Sequence, residues 1–156
     1  MASKPNIEFK PLTAWSELQQ HWPFLRRGLL KLQAAPQLQD LDEGSLLVVA
    51  LQAMNSFPNK GLCLVGMLDK KTCFVGIVVD NTLVKTNPTC LLVLGYSDGV
   101  PTAASQGLEF IAMWARANKF KSLQAWSHRI NGSSFRLFEK VWKFRRTAIL
   151  FSRNLS

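Results

Sequence analysis

Apolar residues recur along this chain in two periods, one helical and one strand-like, and the change from the first to the second organises everything that follows. Trp15, Leu18, Trp22, Leu25, Leu29 and Leu32 fall at alternating steps of three and four, which lays them along one stripe of a helix. Arg26, Arg27 and Lys31 lie on the opposite face. Ahead of the stripe, Ile7 to Leu12 reads as a short first strand, and Thr13 stands where a helix cap is expected. Pro23 falls within the stripe. It removes a backbone donor and crowds the preceding turn, which predicts a kink or two successive helices. A second apolar segment, Leu46 to Met54, is long enough for a buried helix ending near Ser56-Phe57-Pro58, although Leu46 to Leu51 alone also suits a strand.

From Leu62 onward the residues favour strands. Leu62 to Leu68 and Cys73 to Val79 flank Asp69-Lys70-Lys71-Thr72, the pattern of a hairpin. A loop from Asp80 to Pro88 leads to a third run, Thr89 to Tyr96, which Ser97-Asp98-Gly99-Val100-Pro101 breaks. Ala104, Leu108, Ile111 and Ala115 then mark a helix face. Lys121 to Ser127 is a further strand, Asn131-Gly132-Ser133 can cap another helix bearing Phe135, Phe138 and Trp142, and Arg145 to Phe151 closes the chain as a strand. The result is a single α+β domain over 1–156, with a mixed, mostly antiparallel sheet of about six strands and about four helices.

Element order and local residues together resemble the GNAT acyltransferases. Cys73-Phe74-Val75-Gly76-Ile77 is similar to the family's third strand, an apolar run carrying a glycine after a short charged turn. Asn131, an aromatic residue seven positions on at Phe138, and then Glu139-Lys140, match the family's closing segment in register. The resemblance implies a GNAT-like fold and acyl transfer from acetyl-CoA or another acyl-CoA to an amine. It also implies that Thr102-Ala103-Ala104-Ser105-Gln106-Gly107 is the loop that holds the cofactor's pyrophosphate. A helix start offers N–H donors and the positive end of a dipole, and small residues admit phosphate oxygens. Thr102 stands where the family has Gln or Arg, Ser105 where it has its first glycine, and Gly107 fits the pattern. Asn131 and Phe138 occupy positions that contact the cofactor in such proteins.

Acyl transfer needs a proton acceptor for the amine and a donor for the thiolate. The family often places a tyrosine where this chain has Phe138, which has no proton to give. Tyr96, the sole tyrosine, ends the third consecutive strand and is the candidate acid. Asp98 and His128 follow the two strands that would flank the thioester and are the candidate bases. Each has a plainer reading: Asp98 before Gly99 suits a turn, His128 beside Arg129 an exposed loop, and His21 beside Trp22 the surface. Departures of this kind resemble small GNAT-like proteins of tailed bacteriophages, where the fold occurs among particle and assembly proteins. That gives a non-catalytic alternative, with a place in the host cytoplasm or the virion.

Charge narrows the partners. A formal net charge of +9 favours an anionic one. Arg136, Lys140, Lys143, Arg145, Arg146 and Arg153 crowd the C-terminal part among Trp142, Phe144 and Phe151, which raises nucleic acid as a third reading. The aromatics fall at core-like spacings, as do Trp114 and Trp126, and no known RNA-binding or zinc-finger signature is present. Cys63, Cys73 and Cys90 are spaced for neither a disulfide framework nor a metal site, and they read as buried thiols in strands. The apolar runs are far shorter than the roughly 20 residues a membrane-spanning helix needs. No secretory leader is recognised at the N-terminus, so a cytoplasmic protein without a membrane partner is expected.

Overall fold

The computed structural model describes residues 5–32 and 42–125. The closing helix and strand expected after Asn131 lie outside them. Within the described residues the order is β1 (Glu8–Pro11), α1 (Trp15–Leu32), α2 (Glu43–Asn55), β2 (Gly61–Leu68), β3 (Lys71–Asp80), β4 (Thr89–Ser97), α3 (Ala103–Ala117) and β5 (Ser122–Ala125). The five strands form one α+β sheet in the order β1-β2-β3-β4-β5. Every pair is antiparallel except β4 and β5, which run parallel because α3 carries the chain back between them.

The sheet is buried on both faces. Cys63, Val65, Val75, Ile77 and Leu94 meet α1 and α2, while Leu62, Leu64, Phe74, Val78 and Cys90 meet α3. This two-sided burial explains the continuous apolar runs of β2 and β3. Each fully buried Leu, Ile or Phe contributes about 1.5–3 kcal/mol of transfer free energy. All three cysteines are buried, as expected, and burial pushes the thiols of Cys63 and Cys90 up to about 12 and that of Cys73 upward. They are packing groups and poor nucleophiles.

Several expectations change in detail. The hairpin closes through two residues, Asp69 and Lys70, both with positive φ. Pro23 lies inside one unbroken helix, so α1 is not divided. The α1 seam is also rotated: Leu18, His21, Phe24, Leu25, Gly28 and Leu29 are buried, while Trp15 is half exposed. His21, expected on the surface, is 6% exposed, and its Nδ1 lies 2.8 Å from Thr72 Oγ1. On α3 the buried face is Ala103, Gly107, Ile111, Trp114 and Ala115, with Ala104 and Leu108 at its margin. The helix starts follow the local chemistry. Glu17 accepts from the N–H groups of Thr13 and Ala14 at 3.1 Å each, and Asp42 accepts from Ser45 N–H at 2.7 Å.

Candidate active site

The functional geometry starts from an irregularity in β4. Leu92 pairs with Val78 and Leu94 with Ile77, so two residues of β4 oppose adjacent residues of β3 and Val93 is extra. The consequence is visible in packing: Leu92 joins the α3 side, whereas Leu94, two residues on, joins the α1–α2 side. Pairing with β5 stops at the same place. It covers Thr89 to Leu92 against Ser122 to Ala125, and β4 then continues through Val93–Ser97 with β3 on one edge and, among the described residues, no strand on the other. The chain turns through Asp98 and Gly99, the latter at φ 82°, and enters α3. An open strand edge and a helix N-terminus are thus neighbours in sequence and space.

Tyr96 sits at the end of that edge, half-buried on the α1–α2 side. Its ring packs against Phe24 of α1, with centroids 5.0 Å apart. A Cβ on Gly28 would lie 2.9 Å from Tyr96 Cβ, so the bare helix surface at Gly28 is what lets α1 approach. The phenol donates to Asp98 Oδ2 at 3.4 Å, and Arg27 Nη1 lies 3.5 Å from the same oxygen. The Arg27 guanidinium also covers Phe24, 5.1 Å from the ring centroid. Burial, then the negative charge of Asp98, raise the Tyr96 phenol above its usual range, and Arg27 partly opposes them. The phenol therefore keeps its proton at neutral pH.

The segment Thr102 to Gly107 divides by contact. Thr102 precedes α3 without capping a backbone N–H through its side chain, and its Oγ1 accepts from Gln106 Nε2 at 2.9 Å. Gln106 Nε2 also donates to the Pro5 carbonyl at 3.3 Å. Ala103 is buried and its N–H is bound to the Val100 carbonyl at 3.1 Å. Ala104 is half-buried, Ser105 is exposed, and Gly107 faces the core against Phe74. Ala103 and Gly107 thus face the core, and Gln106 ties the helix start to Pro5, ahead of β1. The structure brings Tyr96 and Asp98 together, while His128, Asn131 and Phe138 lie outside the described residues.

Arg27, Phe24 and Gly28 were not singled out as site residues from sequence. An isolated glycine within a helical stripe was the available signal, since it marks a close approach of another element. Among the described residues no group of three or more His, Cys, Asp or Glu is placed to hold a metal ion, and no helix is long and apolar enough to cross a membrane.

No family model and no curated protein matches the sequence. Solved structures do match it, over nearly their whole length. Aminoglycoside N-acetyltransferase AAC(6')-Iy in complex with CoA superposes with a TM-score of 0.70 at 11% identity, covering 100% of this chain and 99% of the other. The chain has the GNAT fold. Ribosomal-protein-alanine N-acetyltransferase from Brucella melitensis biovar Abortus 2308 gives 0.61 at 15% identity, covering 96% and 98%. Glucosamine-6-phosphate N-acetyltransferase from Arabidopsis thaliana gives 0.66 at 9% identity, covering 97% and 99%. Identities this low carry the GNAT fold and not the substrate.

Proposed function

We propose that the protein is an N-acyltransferase that moves an acyl group from acyl-CoA to an amine, in the cytoplasm. The observation that carries this reading is the end of β4: a bulged strand whose outer edge, among the described residues, is open beyond Leu92 and which runs directly into the start of α3. An open edge offers backbone N–H and C=O groups to an extended ligand, and a helix start offers N–H groups to phosphate. The residues present therefore fit acyl-CoA, and the complex of AAC(6')-Iy with CoA supports the choice. The family resemblance puts the segment Thr102 to Gly107 at the pyrophosphate and adds Asn131 and Phe138. When bound, the cofactor supplies an activated acyl group on a good leaving thiolate.

The chain's own part is proton transfer. As the amine nitrogen bonds to the acyl carbon and the carbon–sulfur bond breaks, Asp98 takes the amine's proton and Tyr96 gives its proton to the departing sulfur. Their 3.4 Å contact lets the proton then pass from Asp98 to Tyr96, which restores both groups. His128 is the alternative base. The test is thermal: acetyl-CoA at about 100 times its Kd stabilises a native-state binder by about 2.7 kcal/mol, a rise of about 5–10 °C for a chain of this size. No rise at saturating acetyl-CoA overturns the reading.

A second reading, a GNAT fold kept for particle assembly in a tailed bacteriophage, has its own support. Asp98 is paired within the chain with Arg27, and the space at Gly107 is filled by Phe74. It predicts association with a large particle without any response to acetyl-CoA. The charge of +9 suits an anionic partner in both cases, and steeply salt-dependent DNA binding would mark the nucleic-acid reading instead.

A further inference from the structure

The cation on Asp98 is supplied by the chain itself, and little in the fold requires it. Arg27 and Asp98 are both more than half exposed, at 58% and 53%. An exposed pair of this kind is screened by water and holds its partners weakly. The helix α1 is held on the sheet by other contacts: Leu18, Phe24, Leu25 and Leu29 are buried, and Gly28 is seated directly on Tyr96. Its neighbour Arg26 is drawn the other way, to Glu43 at 3.1 Å. Arg27 can therefore swing out without undoing the helix.

What it would leave behind is a corner with three features converging on one point: the Asp98 carboxylate, one face of the Phe24 ring, and the Tyr96 phenol oxygen. A carboxylate beside an aromatic face is how proteins bind alkylammonium ions, through Coulomb attraction and the ring's quadrupole together. We infer that the Asp98–Phe24–Tyr96 corner is a cation subsite for primary alkylammonium acceptors, and that Arg27 fills it while no acceptor is present. Its use by an acceptor rests on the acyl-transfer reading; the subsite itself does not. Arg27 acts here as a positioning residue, a resident competitor that sets how strongly a cation must bind in order to enter. Alcohols gain no Coulomb attraction from the carboxylate and would be passed over, and a bound alkylammonium releases one proton to solvent before its nitrogen attacks.

Binding of n-butylammonium at neutral pH, measured by calorimetry without CoA, tests this, with n-butanol as the uncharged control. Removing the competitor in Arg27→Ala should tighten n-butylammonium binding about tenfold and leave n-butanol undiscriminated. Adding Asp98→Asn to that variant should abolish the gain. A second readout uses the sole tyrosine: the near-ultraviolet absorbance of tyrosinate reports Tyr96 alone. Because Arg27 lowers the Tyr96 pKa, its titration should move to higher pH in Arg27→Ala. Unchanged n-butylammonium affinity in Arg27→Ala, a gain that survives Asp98→Asn, or an unmoved tyrosine titration would each overturn the subsite. If acetyl-CoA fails to bind while the butylammonium pattern holds, acyl transfer falls and the subsite stands. If acetyl-CoA binds and Arg27→Ala gains nothing, the subsite falls alone.

Discussion

A Cβ on Gly107 would stand 2.4 Å from Cζ of Phe74, so α3 rests on the sheet through a bare helix surface filled by that ring. Gly107→Ala forces either the ring or the helix to move, and overpacking of this kind costs about 1–3 kcal/mol. Urea unfolding should show a lowered midpoint at unchanged slope, with part of the loss recovered when Phe74→Leu is added. If Gly107 served chiefly to admit phosphate, Gly107→Ala would weaken acetyl-CoA binding and leave the urea midpoint in place.

The β2–β3 hairpin contains a position that works against its residue. Asp69 and Lys70 adopt φ of 51° and 66°, as a two-residue turn of right-handed twist requires. Aspartate tolerates this conformation; lysine gains nothing there to offset its Cβ penalty. Lys70→Gly should stabilise the chain by about 0.5–1 kcal/mol, net of the extra freedom glycine has when unfolded. The check is a higher midpoint in the same urea experiment.

Two buried or capping groups give two separate pH windows. Burial lowers the His21 pKa below 6.5, with the Lys10 charge acting in the same direction and Glu17 against it. The unfolded chain therefore binds this proton more readily than the folded one. Stability is complete above pH 6.5 and declines as pH falls below it towards the folded value. Glu17 is held at about 2 by Lys10 first, then by the N–H groups of Thr13 and Ala14, so its contribution is present above pH 4.5 and is lost towards pH 2. His21→Asn should flatten the slope of stability against pH just below 6.5 and leave the acid decline below 4.5. Glu17→Gln should do the reverse, at a cost of about 1 kcal/mol at neutral pH for the lost cap.

Legibility followed the range of the interactions. Strand positions and the hairpin were readable because the period of apolar residues and the turn composition are local. The orientation of α1 was not, since its buried face includes His21 and Gly28, which a count of apolar residues passes over. His21 is buried because Thr72, fifty-one residues away, supplies a polar partner. The same holds at the candidate site. Tyr96 and Asp98 are two residues apart and could be paired on paper, whereas Arg27 reaches them only because Gly28 lets α1 close over β4. The bulge at Val93 had no sequence mark at all, as it concerns the pairing of β4 with β3.

Tyr96 gives the sharpest test of chemistry. Its ring is held by Phe24 and by the closely seated Gly28, contacts that phenylalanine keeps, so Tyr96→Phe should change stability by no more than about 0.5 kcal/mol. The hydroxyl is a different matter. If it protonates the leaving thiolate, its loss should lower kcat about 100-fold while KM for acetyl-CoA stays within about twofold. The pH profile distinguishes this from simple misplacement. An acid works only while protonated, and burial and Asp98 raise this phenol above its usual pKa of 10, so the alkaline fall in rate should begin above pH 10. In Arg27→Ala, where the opposing positive charge is gone, that fall should begin at still higher pH. A Tyr96→Phe enzyme with full kcat would remove the phenol from the mechanism and leave proton delivery to solvent or to residues beyond Ala125.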